Sequence, residues 1–139
     1  METSRPLNVL MNAANAPAQV IPLMIERRWG RIINLSGIAP YIGDGVAKST
    51  VKLGIVGFTR GLAREFAGHN ITANCIGPGT IGRGERDAHE REKELRAWQP
   101  VRRTGRIEEV TALMLHLASE NAGYITGQCY LINGGTYFS

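Results

Sequence analysis

Arg31-Ile32-Ile33-Asn34-Leu35-Ser36 is a short apolar run lying between two segments of helical character. A run of this length, apolar at both alternating sets of positions, suits a strand covered on both faces, as strands are in a parallel sheet. Downstream, residues 37–45 read as a loop. From Lys48 onward, Val51, Ile55, Phe58, Leu62 and Phe66 recur at spacings of three and four, which predicts a helix with one stripe packed on the sheet. Ile71-Thr72-Ala73-Asn74-Cys75-Ile76 repeats the strand pattern and is stopped by Gly77-Pro78-Gly79. Residues 108–117 set Val110, Leu113, Met114 and Leu117 on one face of a further helix. Tyr130-Leu131-Ile132-Asn133, before Gly134-Gly135, is the last expected strand.

Upstream of the opening run, Asn15 and Pro17 supply an N-cap and an early-turn proline. Val20, Ile21, Leu23, Met24 and Ile25 then give a helical apolar face that Pro22 is expected to kink. Arg27, Arg28 and Gly30 suit its C-terminus, where cations and glycine are favoured. Leu7-Asn8-Val9-Leu10-Met11-Asn12 reads as a first strand. The alternative makes residues 7–28 one long helix; the strand is preferred because a ~12-residue helix already suffices for a parallel crossover. Strands alternating with helices predict βαβ units with right-handed crossovers. The expected fold class is α/β, a small doubly wound parallel sheet.

With 139 residues, 43% of them hydrophobic, the chain fits one domain over residues 1–139. Its net charge of +4 is spread among acidic residues rather than gathered in a stripe, which argues against a nucleic-acid partner. No apolar run approaches the ~20 residues that span a bilayer. The first residues also lack the apolar core of a signal peptide, so a cytoplasmic protein without membrane contact is expected. Cys75 and Cys129 lie in apolar contexts outside any CxxC spacing and are expected to be buried free thiols. His69, His89 and His116 show no metal-ligand spacing, so no metal site is expected.

Several stretches resemble the C-terminal half of the short-chain dehydrogenase/reductase family. Residues 22–36 are similar to the helix and strand leading to that family's catalytic serine. Lys52-Leu53-Gly54-Ile55-Val56-Gly57-Phe58-Thr59-Arg60 looks like the helix that starts at its catalytic lysine, and residues 71–79 look like its Asn-x-x-x-Pro-Gly segment. Thr104-Gly105-Arg106-Ile107-Glu108-Glu109-Val110, Gly123-Tyr124-Ile125-Thr126-Gly127 and Asn133-Gly134-Gly135 are similar to its C-terminal signature. Asn12-Ala13-Ala14-Asn15 resembles its Asn-Asn-Ala-Gly loop.

The resemblance implies a partial Rossmann-like domain and hydride transfer between NAD or NADP and an alcohol or ketone. It implies cofactor contacts at Asn12, Asn15, Lys52, Pro78, Gly79, Thr80 and Ile81, and a mobile substrate lid over residues 83–100. It also implies a homo-oligomer, dimer or tetramer, or association with a paralogous subunit. Loss of half a doubly wound domain would expose apolar sheet, a second reason to expect association.

The same comparison exposes departures. The family's Tyr-x-x-x-Lys is written Lys48-Ser49-Thr50-Val51-Lys52, so a lysine stands where the acidic phenol belongs. The serine position aligns with Gly37, leaving Ser36 one residue early and expected to face the other side of the strand. The threonine after Pro-Gly aligns with Arg83, with Thr80 nearby. No Gly-x-x-x-Gly-x-Gly loop, which would bring backbone donors to a pyrophosphate, occurs in these residues.

Candidate catalytic residues are Lys52, Ser36, Lys48 and Tyr41, with Asn74 beside them. Lys48 and Lys52 share one helix face, where like charges repel and favour a neutral amine, or else both are simply solvated. Tyr41 is a substitute phenol or a packing residue. The expectation is a degenerate site with impaired hydride transfer and weak NAD(P) binding by this chain alone. Two alternatives stand beside it: an active, divergent oxidoreductase, and a non-catalytic partner-binding subunit.

Overall fold

A computed structural model describes residues 8–11, 16–82 and 99–138, with side chains from residue 19 onward within these. Asn12, Asn15, Arg83, His89 and all but the last two residues of the expected lid lie outside the described residues. The chain runs β1 (Asn8–Met11), α1 (Ala16–Arg27), β2 (Gly30–Leu35), α2 (Ala39–Ile42), α3 (Val46–Phe66), β3 (Ile71–Pro78), α4 (Ile107–Leu117) and β4 (Cys129–Ile132). The four strands form one parallel sheet in the order β1-β2-β3-β4. Asn8–Met11 and Ala16–Arg27 are therefore a strand and a helix rather than parts of one long helix, and the fold is α/β and doubly wound.

β2 and β3 occupy the centre, and all their residues but the terminal Leu35 and Pro78 are buried. Ile32, Ile71 and Ala73 face Ile21 and Met24 of α1 and Leu62 and Ala63 of α3. On the other face Ile33 and Ile76 meet Val110 and Leu117 of α4. Since the strands follow chain order while α4 lies opposite α1 and α3, the β3–β4 crossover has the hand opposite to the first two. Uniform handedness thus fails. Its usual cause is a helix packing directly back on its strand, and residues 79–106 intervene here before α4 starts.

Other expectations also need correction. The segment after β2 is not all loop, because Ala39–Ile42 form a short helix. Gly43 and Gly45 then take φ of +70° and +78°, a left-handed turn that suits glycine and redirects the chain into α3. The buried side of α3 is Val56, Thr59, Leu62 and Ala63, whereas Val51 and Phe58 of the expected stripe are exposed. Asn34 accounts for the rotation: its Nδ2 donates to Thr59 Oγ1 at 2.8 Å, and that hydroxyl donates to the Ile55 carbonyl. A buried amide needs such a partner, so Thr59 faces the sheet. α1 runs through Pro22 to Arg27.

Gly30 is not the cap of α1. Arg28 takes the left-handed conformation, at φ +51°, and Trp29 N–H returns to the Met24 carbonyl. Gly30 is required for another reason, since a Cβ there would lie 2.5 Å from Met24 Sδ and 3.1 Å from Met24 Cβ. Arg31 is almost wholly buried. It donates to the Gly30, Asn70 and Ser119 carbonyls and stacks on Trp29 at 4.6 Å. Burial lowers its pKa, and Glu120 opposes that shift.

Gly30→Ala is expected to cost about 1–3 kcal/mol through overpacking, and Met24→Ala about 2–5 kcal/mol through the cavity it leaves. Combined, they should cost less than their sum in urea unfolding, because the smaller side chain vacates the space the new methyl needs. Strict additivity would contradict this packing.

Candidate functional site

The parallel register aligns the C-terminal ends of β2 and β3, pairing Leu35 with Ile76. The segments leaving those ends, with α2 and the start of α3, enclose a cleft of about 410 Å3. Its walls are Ser36, Gly37, Ile38, Ala39, Ile42, Asp44, Lys48, Lys52, Pro78, Gly79 and Thr80. The volume lies in the ~300–1,000 Å3 range of small-molecule sites. Six residues singled out from the sequence, Ser36, Lys48, Lys52, Pro78, Gly79 and Thr80, come together here.

Ser36 reaches this cleft rather than the far side of the sheet, because β2 ends at Leu35 and the alternation of the strand no longer applies. Its hydroxyl is nevertheless engaged, donating to the Lys52 carbonyl at 2.8 Å. Gly37 lies beside it, and a Cβ added there would meet only the Pro78 carbonyl, at 3.9 Å. Lys52 Nζ approaches the Leu35 carbonyl at 3.4 Å. Lys48 pairs with Asp44 at 2.6 Å, with 61% of its side chain in solvent. Like-charge repulsion between the lysines is therefore offset by a carboxylate that the sequence reading passed over. An acidic residue four positions before a lysine was its available signal.

Tyr41 does not line the cleft. Its ring packs on Tyr137 with centroids 5.3 Å apart. Burial raises its pKa, and the interaction with Cys129 adds to the rise. Asn74 is structural: its Nδ2 donates to the Ile125 carbonyl at 2.7 Å, and its Oδ1 accepts from Gln128 N–H. Ile81 lines a second, smaller hollow of about 210 Å3, with Gln99, Arg103, Glu109 and Asn133 among its neighbours. Arg103 grips Glu109 there through two guanidinium bonds of 2.9 and 2.6 Å, while Arg106 N–H donates to the same carboxylate. These bonds, Arg103's first, lower the Glu109 pKa to about 2.

Among the described residues no group of three or more His, Cys, Asp or Glu side chains could hold a metal ion. No helix among them is long and apolar enough to cross a membrane. Lys52, Pro78, Gly79 and Thr80, to which the family resemblance assigns the nicotinamide, all line this one cleft.

A cleft at the carboxyl ends of parallel strands is where doubly wound folds bind their ligands. The family described as enoyl-(acyl carrier protein) reductase matches residues 7–137. The chain belongs to the short-chain dehydrogenase/reductase family. Nodulation protein G of Azospirillum brasilense is 40% identical over 130 residues, which are 91% of this chain and 53% of that protein. The 3-oxoacyl-[acyl-carrier-protein] reductase FabG of Aquifex aeolicus is 40% identical over 121 residues, 82% of this chain and 48% of that one. The solved structure of YwfH, an NADPH-dependent reductase involved in bacilysin biosynthesis, matches with a TM-score of 0.74 and 29% identity, covering 90% of this chain and 54% of that one. The chain thus spans about half the length of the relatives it matches.

The Glu109 geometry predicts a pH effect. Its folded-state pKa lies below the ordinary 4.5, so its contribution to stability is full above about pH 4.5 and is lost as pH falls toward 2. Glu109→Gln should therefore flatten the decline of the urea midpoint across that window and leave the decline above it unchanged. An identical decline in both proteins would contradict the assignment.

Proposed function

We propose that this chain is a short-chain reductase relative whose catalytic face is retained in shape but impaired in chemistry. The observation that carries this reading is the replacement of the phenol: among the described residues lining the cleft there is no tyrosine. The position four before Lys52 holds Lys48, bound to Asp44 and open to water.

Reduction of a ketone needs a proton donor at the carbonyl oxygen as hydride arrives from a bound nicotinamide. On this reading Lys52 would bind a ribose hydroxyl beside the reacting oxygen, and its position in the cleft wall supports that role. Ser36 orients the start of α3 through the Lys52 carbonyl and so has no proton free for the substrate. Gly37 offers none. The carbonyl acceptor, a 3-oxoacyl thioester by analogy with the named relatives, would meet a site with the cation kept and the neutral acid lost. Exposed Val51, Leu53 and Phe58 on α3 support the self-association expected from the sequence.

A second reading, an active divergent oxidoreductase, is favoured by one observation: Lys48 does line the cleft. Assays of acetoacetyl-CoA reduction at millimolar NADPH separate the two. The first reading expects negligible turnover by the native chain and a gain of about 10²-fold or more on Lys48→Tyr combined with Gly37→Ser, since a positioned acid contributes about 10²–10⁴-fold. Ready native turnover that Lys48→Met abolishes would establish the second reading and sink the first.

A further inference from the structure

The face of the sheet that carries α3 holds a group the reductase reading does not use. Cys75 of β3 and Cys129 of β4 are direct partners in the parallel register. Both are free thiols, Cys75 wholly buried and Cys129 half-buried. Their neighbours are arranged unequally. The neighbouring Cys75 thiol, the Tyr41 hydroxyl and the charge of Arg60 on α3 lower the Cys129 pKa to about 6, against the opposing effect of burial. Cys75, deeper in the sheet, contacts the Ser36 side chain, which in turn lines the cleft. Cys75 and Cys129 thus lie side by side on this face, Cys129 on the edge strand and Cys75 on the strand that reaches the cleft.

We propose that Cys129 and Cys75 form a peroxide-reactive two-thiol site, with Cys129 the nucleophile and Cys75 the thiol that resolves it into a disulfide. Cys129 is the more exposed of the two thiols, and Cys75, Tyr41 and Arg60 favour its negative charge. Cys75 is buried, and its neighbour Cys129 and burial raise its pKa. Reactivity follows the thiolate and its exposure, and both single out Cys129.

The steps balance. Cys129 sulfur attacks one peroxide oxygen, the S–O bond forms as O–O breaks, and the departing hydroxide takes a proton to become water; sulfur is oxidised and peroxide reduced. Cys75 then loses its proton, its sulfur attacks the Cys129 sulfenic sulfur, and S–S forms as S–O breaks. The second hydroxide leaves with that proton as water. Closure withdraws Cys75 from Ser36 and Cys129 from Tyr41, altering one wall of the cleft.

The test is peroxide treatment of the native chain, alkylation of remaining thiols and peptide mass spectrometry. The expected product is an intramolecular Cys75–Cys129 disulfide, preceded by a dimedone-trappable adduct on Cys129. Cys75→Ala should stop the reaction at that adduct, and Cys129→Ala should leave Cys75 reduced. Should either variant fail to fold, the order of events in the native chain decides. Tyr41→Phe, with an unchanged circular dichroism spectrum, should slow iodoacetamide labelling of Cys129 several-fold. Prior oxidation of Cys75, a disulfide only between chains, or survival of both thiols in excess peroxide would each overturn the proposal.

Discussion

The paired ladder of β2 and β3 is the constraint from which everything else in the structure follows. Ile32 can meet α1 and α3, and Ile33 can meet α4, only if both faces of this pair are closed to water. That requirement explains why the two strands are apolar with few polar interruptions, and why three of the four are tied down, the buried Thr72 hydroxyl alone lacking a partner. Asn34 holds Thr59, Asn74 holds the turn before β4, and Arg31 gathers three carbonyls around a buried cation. Leaving such groups unpaired would cost about 1–3 kcal/mol each. The same register sets Ser36 and Pro78 side by side at one end, so the cleft is a consequence of the core.

Within that cleft the chemistry turns on which proton donors face the space. On the proposed reading a lysine four residues before Lys52 occupies the place of a phenol, and it is paired with Asp44 and open to solvent. The tyrosine nearest in sequence packs elsewhere, its ring against Tyr137. Packing, rather than distance along the chain, decided its direction.

The sheet and its helices were legible because buried parallel strands and amphipathic helices leave periodic traces in composition. β2, β3 and α4 fell within a residue or two of their expected bounds. The family resemblance located the cleft through the Lys52 helix and the Pro78-Gly79 turn. What escaped was set by long-range geometry. The exposed side of α3 depended on an Asn34–Thr59 bond across 25 residues, and Asp44 was overlooked although its spacing to Lys48 was visible. The hand of the last crossover followed from a long connection rather than from any local pattern. The opposition of Cys75 and Cys129, remote in the chain, exists only in the register of β3 against β4.

The most direct measurement is a crystal structure of the chain grown with NADPH and a 3-oxoacyl thioester, read for the position of every phenolic oxygen. The account predicts Lys48 on Asp44, Tyr41 still against Cys129, and no phenol within ~3.2 Å of the carbonyl oxygen or its place beside Lys52. A Tyr41 hydroxyl swung into the cleft next to Lys52 would contradict it.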